Sequence, residues 1–409
     1  MHHSSRVTPR QAILAALPLV ALLATSIALC PNSASAQALP NSKITVGVVF
    51  ERVNFSGGIL ESDLAGADSS RVLSATSLSL PLQFSTVIRS AWIFDLGAGA
   101  SNGKRQAAGA NSPSDDLSGV GDVRVRLSRR FDRLGLRLTV GGNLPTGVTG
   151  LDKSQLLALS VLASPAINLT QPAVGFGAGA TVGLVKSFSS SSRQWGVAVG
   201  TSFEWRGEYD PFAALAVGAS ASAYDPGEVI RVSAGASRLF GESKGLVTAS
   251  LDLFGTDLVS QGANIKPIEV QIGPTVAIDG QWQPATTRFK NAALFGAARL
   301  RSALKRDGTT LPNSGNTTLE AGLRGAKAMT GHTDVVFELS GRLVTAVEID
   351  NRLATAASTS VAPVLGLAIN SSMWTLQPAL TARIGTVDTG IGSGGFTVMG
   401  ARLTLERRF

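Results

Sequence analysis

Leu403-Thr404-Leu405-Glu406-Arg407-Arg408-Phe409 closes the sequence and decides how the rest is read. In an extended strand successive side chains point to opposite faces. Leu403, Leu405 and Phe409 therefore share one face, while Arg402, Thr404, Glu406 and Arg408 share the other. The same division recurs upstream. Ile44, Val46, Val48 and Phe50 oppose Thr45, Gly47, Val49 and Glu51, and Val123, Val125 and Leu127 oppose Arg124, Arg126 and Ser128. Leu136, Leu138 and Val140 oppose Gly135, Arg137 and Thr139. Over Asp334 to Ile349, Val335, Phe337, Leu339 and Leu343 oppose Glu338, Ser340 and Arg342. Period-two alternation with charge confined to one face predicts strands with an apolar side and a wet side.

The start of the chain says where such strands reside. Arg6 and Arg10 precede an apolar run from Ala12 to Leu29, and Ala34-Ser35-Ala36 supplies a small-x-small cleavage site. Residues 1–36 are expected to be a cleaved signal peptide and 37–409 the exported part. A transmembrane anchor is the rival reading, against which Pro18, Thr25-Ser26 and the cleavage site weigh. Cys30 is the only cysteine, and Leu29 is too large for the residue before a lipidated Cys. Loss of Cys30 with the leader leaves no disulfide framework. After the leader no apolar run of about 18 residues remains, so helical spans are excluded. A chain that crosses lipid without helices must close a sheet on itself, because every backbone polar group needs an internal partner there.

The predicted fold is therefore all-β, a transmembrane antiparallel barrel in the bacterial outer membrane, with 16 strands and 14 as the alternative. Tight links at Asp132-Arg133, Ser187 to Arg193, Gly241 to Lys244 and Thr330-Gly331-His332 alternate with longer polar connections. Those run over Ser56–Ser70, Ser101–Asp116, Gly207–Pro226 and Asp307–Gly315. Short turns and long loops divide the periplasm from the exterior. Between Pro145 and Gly175 the alternation stops, and Ser154 to Ala163 reads as a short helix in the third outer loop, capped by Asp152 or Ser154 and stopped by Pro165. One more strand over Leu156–Ala163 is the competing reading. Helix residues Leu156, Leu159 and Leu162 are expected to fold over or into the mouth and constrict it. The wet faces make Arg124, Arg126, Arg137, Glu338, Arg342, Arg402 and Glu406 the expected pore lining. The three hairpin arginines either stand free, drawing anions, or pair with carboxylates, Glu338 and Glu406 being candidates.

Leu403, Leu405 and Phe409 also resemble the closing-strand signal read by the barrel-assembly machinery, although Arg407 stands where a further apolar residue is usual. Gly119-Val120-Gly121-Asp122-Val123-Arg124-Val125, followed by Asn143-Leu144-Pro145-Thr146-Gly147, resembles an outer-membrane family linked to the meta-pathway of phenol degradation, among channel barrels similar to the long-chain fatty-acid transporter. Arg206-Gly207-Glu208-Tyr209-Asp210-Pro211 and Asp225-Pro226-Gly227-Glu228 look like loop-edge pieces of the same family. The resemblance implies a channel for small, hydrophobic or aromatic compounds. It does not carry over the transporter's N-terminal hatch, because the first strand begins within a few residues of the expected cleavage site.

Other chemistry is poorly represented. His332 is the one histidine beyond the leader, and it sits in a tight turn, so no catalytic or metal-ligating set is expected and no cofactor is implied. Asp115-Asp116 fits either a calcium contact or a solvated loop. The net charge of +8, from 36 Lys+Arg against 28 Asp+Glu, fits contact with anions or an ordinary basic surface. No Gly-rich phosphate loop is present, and nucleic acid is not an expected partner. The expected partners are outer-membrane lipid, the assembly machinery and small-molecule solutes. Two functions remain: a channel passing small molecules by diffusion, and a structural or adhesive barrel without a transport role.

Overall fold

The computed structural model describes residues 42–409 apart from 61–70, 90, 109–113, 191–193, 212–221, 262–265, 287, 350–351 and 389–392. The expected leader, 1–36, lies outside the described residues. Sixteen antiparallel strands close into one barrel. The first eight are β1 (Lys43–Leu60), β2 (Arg71–Ile88), β3 (Trp92–Ala107), β4 (Ser114–Val120 resuming as Val123–Phe131), β5 (Leu136–Leu144), β6 (Gly179–Ser189), β7 (Trp195–Arg206) and β8 (Val229–Phe240). The second eight are β9 (Ser243–Phe254), β10 (Thr275–Gln283), β11 (Lys290–Arg301), β12 (Asn316–Ala328), β13 (Thr333–Val344), β14 (Ala357–Asn370), β15 (Trp374–Asp388) and β16 (Ser393–Arg408). Each strand pairs with its sequence neighbour. β1 pairs with β16 from Lys43↔Arg408 to Phe55↔Phe396, which leaves no free edge.

Register fixes the faces, because directly opposed residues share one. Val46↔Leu405, Val48↔Leu403 and Phe50↔Ala401 lie outside, with Phe50 46% and Leu403 44% exposed. Val53↔Val398 and Phe55↔Phe396 lie inside and are buried. The face assignments read from the sequence for β1, β4, β5, β13 and β16 agree with this register.

Strand ends depart from the sequence reading. Ser56–Ser70 and Ser101–Asp116 are not wholly loop: β1 runs to Leu60, β2 starts at Arg71, β3 reaches Ala107 and β4 starts at Ser114. In the extensions of β3 and β4 the inward side chains of Arg105 and Asp115 pair across the two strands. The expected strand Asp334–Ile349 ends at Val344, and Val347–Ile349 instead pairs with Arg352–Thr355 outside the barrel. Asp132-Arg133 is not a two-residue turn. Asp132–Leu134 makes a 3-10 turn that ends on Gly135 at φ 59°, a left-handed position that favours glycine. At the loop end a second sheet assembles from Ser222–Asp225, Thr256–Gln261, Ile268–Gln271, Lys305–Arg306 and Thr309–Thr310.

At the turn end, outward cations lie over outward aromatic rings. Arg129 sits 5.1 Å from the Trp92 ring and 4.7 Å from Phe131, Arg238 4.5 Å from Trp195 and 4.6 Å from Phe240. Arg407 sits 4.8 Å over Phe409. The arginine of the closing strand thus has an aromatic face for its guanidinium to lie on.

Candidate functional site: a constricted lumen

The connection from β5 to β6 enters the barrel. Its helix α1 (Lys153–Leu162) starts at Asp152, whose Oδ1 accepts from Gln155 N at 2.8 Å while Gln155 Oε1 accepts from Asp152 N at 3.0 Å. That reciprocal pair satisfies two orphan donors of the first turn. Ala163 caps the other end and Pro165 follows. The sequence reading of a helix is thus met, with Asp152 as its cap. α1 carries Ala158, Val161 and Leu162 into a buried cluster with Leu117 of β4, Val53 and Phe55 of β1, Val72 and Ala75 of β2, Val387 of β15 and Phe396 and Val398 of β16. Leu156 and Leu159 pack on its margin. Leu162 is fully buried against Gly103, where an added Cβ would come within 2.2 Å of Leu162 Cδ1. Full burial of one such leucine contributes roughly 1.5–3 kcal/mol. An apolar patch on the inward wall, from strands distant in sequence, is what draws this segment inside.

After α1 the chain crosses the lumen. Thr170 N donates to Glu51 Oε2 of β1 at 2.6 Å. Arg383 Nη1 of β15 donates to the carbonyls of Ile167, at 2.7 Å, and Asn168. Asn168 holds φ 56°, which asparagine tolerates better than most residues. Ala173 N donates to Ser101 Oγ at 2.7 Å.

The two ends of the insertion are clasped by Asp122, in the break of β4. Asp122 Oδ1 accepts from Gly147 N at 2.9 Å and Oδ2 from Phe176 N at 2.6 Å. Gly147 and Gly175 touch backbone to backbone, and a Cβ on Gly147 would fall 2.5 Å from Gly175 Cα. Thr146 Oγ1 accepts from Val123 N at 3.0 Å. The Gly-x-Gly-Asp and Pro-Thr-Gly pieces quoted from the sequence are therefore one structure, an anchor for the inserted segment.

The loop-edge pieces form a second knot above β7. Arg206 Nε donates to Gly227 O at 2.9 Å, and Asp257 accepts from Gly227 N at 2.7 Å and from the Tyr224 hydroxyl at 2.6 Å. Tyr209 packs edge-on to Tyr224 at 5.4 Å. Burial and the bond to Asp257 push the Tyr224 phenol well above its ordinary range. Leu151 N donates to Pro211 O at 3.0 Å, tying the knot to the segment before α1.

Register puts Arg124, Arg126, Arg137, Glu338, Arg342, Arg402 and Glu406 on the inward face. Arg126 Nε bonds Asp95 Oδ2 at 3.0 Å, a partner on the adjacent strand rather than Glu338 or Glu406. Glu406 holds Lys43 at 2.7 Å and Arg408 at 2.8 Å near the turn-end rim. Arg342 Nη1 lies 3.6 Å from Glu320 Oε2. Beside the inserted segment a cavity of about 500 Å³ remains, lined by Ala163, Pro165, Asn168, Leu169 and Gln171 on one side and by Arg299, Arg301, Glu320 and Arg342 on the other. The sequence reading missed Asp122, Glu51, Arg383, Arg299 and Arg301. Asp122 had a signal in its place in the quoted motif, and Glu51 one in its position on the polar face of the first strand. Asp115 is taken by Arg105, so it is not the solvated loop carboxylate considered above. Among the described residues no group of three or more His, Cys, Asp or Glu gathers to hold a metal.

Replacing Asp122 by Ala frees two N–H groups from a carboxylate, each such bond being worth about 1.5–3 kcal/mol. Displaced states of the segment are expected to rise more than about tenfold, exposing residues 149–174 to added protease in an otherwise heat-modifiable barrel. Protection equal to that of the parent overturns the clasp.

No family profile matches the sequence, and no curated protein matches it. Solved structures do. A deltaS2 mutant of the TodX monoaromatic hydrocarbon channel aligns over 91% of this chain and 91% of its own at 9% identity and a TM-score of 0.46. The CymD monoaromatic hydrocarbon channel aligns over 91% and 90% at 9% identity and a TM-score of 0.38. An outer membrane channel from Pseudomonas putida F1 aligns over 93% and 100% at 12% identity and a TM-score of 0.36. At these identities and scores the matches bear on neither family, solute nor mechanism.

Proposed function

We propose that the chain is an outer-membrane channel through which small molecules diffuse, reaching that membrane by way of a leader cleaved after Ala36. One observation carries this reading. A closed barrel of 16 strands has a charged inward wall, and its lumen is narrowed, with an open cavity beside the inserted segment. Barrels of this size are wide enough for water and solutes when side chains alone line them. The apolar outward face of β1 and β16 fits lipid, and the cation-topped aromatic rings at the turn end fit the interface. Leu156, Leu159 and Leu162 act by anchoring the segment that sets the width, and Arg124, Arg126 and Arg137 by setting the charge along the path.

Reconstituted in a planar bilayer, the purified protein is expected to give discrete, ohmic current steps in KCl. Spin labels at Ile44, Val48, Leu403 and Leu405 are expected to broaden with a lipid-soluble relaxation agent and not with an aqueous one. A correctly inserted barrel that passes no current overturns the channel in favour of a structural or adhesive barrel.

A further inference from the structure

The cavity wall facing the inserted segment is unusual for its charge. Arg299 and Arg301 stand on the inward face of β11, about 7 Å apart along the strand, and Arg342 stands two strands away, about 10 Å across the sheet. Glu320 lies between them, opposite Ala297 and Arg342, and is the one carboxylate that lines the cavity among the described residues. Arg301 Nε and Arg342 Nε are shielded from solvent and make no hydrogen bond among the described residues. Guanidinium N–H groups hidden from water without an acceptor are costly; the rest of each guanidinium is only loosely held, Arg301 Nη2 by Ser314 O at 3.4 Å and Arg342 Nη1 by Glu320 Oε2 at 3.6 Å, and both side chains line the cavity.

The opposite wall supplies the second half of the recognition. Ala163 and Pro165 offer exposed apolar surface, and the segment that carries them is held in place by the Glu51 and Arg383 bonds. From this pairing we infer that the cavity binds small organic monocarboxylates that carry an apolar body. The carboxylate accepts from the guanidinium groups of Arg301 and Arg342, which suit planar two-oxygen acceptors, and the hydrocarbon lies on Ala163 and Pro165. An inorganic anion satisfies only the first wall and a neutral aromatic only the second. A volume of about 500 Å³ admits a one-ring acid with room to pass. The inference rests on the channel reading and names its solute class.

Benzoate is the probe, with benzamide as neutral isostere and inorganic phosphate as an anion without apolar body. The parent's current in KCl is read first: no current overturns the channel reading, whereas current without a benzoate effect overturns this inference alone. Benzoate is expected to lower the current saturably, and benzamide and phosphate to do so at least tenfold less potently. The Arg299→Gln/Arg301→Gln/Arg342→Gln variant is expected to need at least tenfold more benzoate for half-block. Glu320→Gln, which removes the competing carboxylate, is expected to need several-fold less, and it keeps the test decisive if the triple variant fails to fold. Equal block by benzamide or by phosphate overturns the inference, as does unchanged block in a folded triple variant or weaker block in Glu320→Gln.

Discussion

Excising residues 149–174 and joining Val148 to Gly175 through Asn-Gly is expected to raise single-channel conductance several-fold. The junction is set by the structure. Gly175 N already donates to Val148 O at 2.9 Å, which is the bond that closes a two-residue hairpin turn, and Asn-Gly is the sequence that such a turn prefers. Asp122 keeps both of its partners, Gly147 and Phe176, because each lies outside the deleted stretch. What leaves is α1 and the crossing strand of chain that meets β1 at Glu51 and β15 at Arg383. The path then widens from a cavity beside that segment toward the bore of a 16-strand barrel. Removal also uncovers Val53, Phe55, Val72, Leu117, Val387, Phe396 and Val398 on the inner wall. The excised barrel should therefore unfold at a lower temperature in heat-modifiability gels while conducting more. A folded variant with parental conductance would show that the narrowest point lies elsewhere. Leu162→Ala provides the graded counterpart: truncation of a buried leucine costs about 2–5 kcal/mol, here in the docking of α1 and not in the barrel sheet.

The contrast between what was legible and what was not follows from where information sits in a barrel sequence. β1, β4, β5, β13 and β16 could be assigned to faces because, away from the rims where Arg129 and Arg407 turn outward, charge falls on one side of each and the period is local. α1 was legible because Leu156 to Ala163 breaks that period between a capping Asp152 and Pro165. Its docking site was not, because the inward apolar patch is assembled from Val53, Val72, Leu117, Val387 and Val398, residues contributed by strands spread along the chain. The loops were overextended for a related reason. Above the lipid both faces of a strand are wet, so Ser101–Ala107 and Ser114–Asp116 read as loop although Arg105 and Asp115 make a buried pair between them. Ion pairs across neighbouring strands are equally silent in one dimension. Arg126 finds Asp95 and not the more distant Glu338 or Glu406, because antiparallel pairing of β3 with β4 sets Asp95 directly opposite Arg126.

That register makes the charge ladder on β4 and β5 a mixed one, and it decides the second large effect. Arg126 is paired with Asp95, while no ion pair joins Arg124 or Arg137 to a carboxylate among the described residues; Arg124 faces Gly97 and Asn143, and Arg137 faces Arg130 and Val185. Free guanidiniums on the wall of a narrow aqueous path raise the local anion concentration. Replacing Arg124, Arg126 and Arg137 together by Gln should move the reversal potential in a tenfold KCl gradient toward cation preference. The expected shift is on the order of 10–20 mV of the roughly 59 mV that full selectivity would give. The single variants should separate the two roles. Arg124→Gln and Arg137→Gln are expected to shift selectivity with stability within about 0.5 kcal/mol of the parent. Arg126→Gln should also lower stability, by no more than about 1 kcal/mol, because an exposed ion pair is worth little and Ser85 still holds Asp95. Ionic strength supplies the decisive control. Screening shortens the reach of such charges from about 10 Å at 0.1 M to about 3 Å at 1 M, so the shift should be large between dilute solutions and collapse between concentrated ones. A shift that persists at high salt, or one absent at low salt in a folded triple variant, rules the ladder out as the source of selectivity.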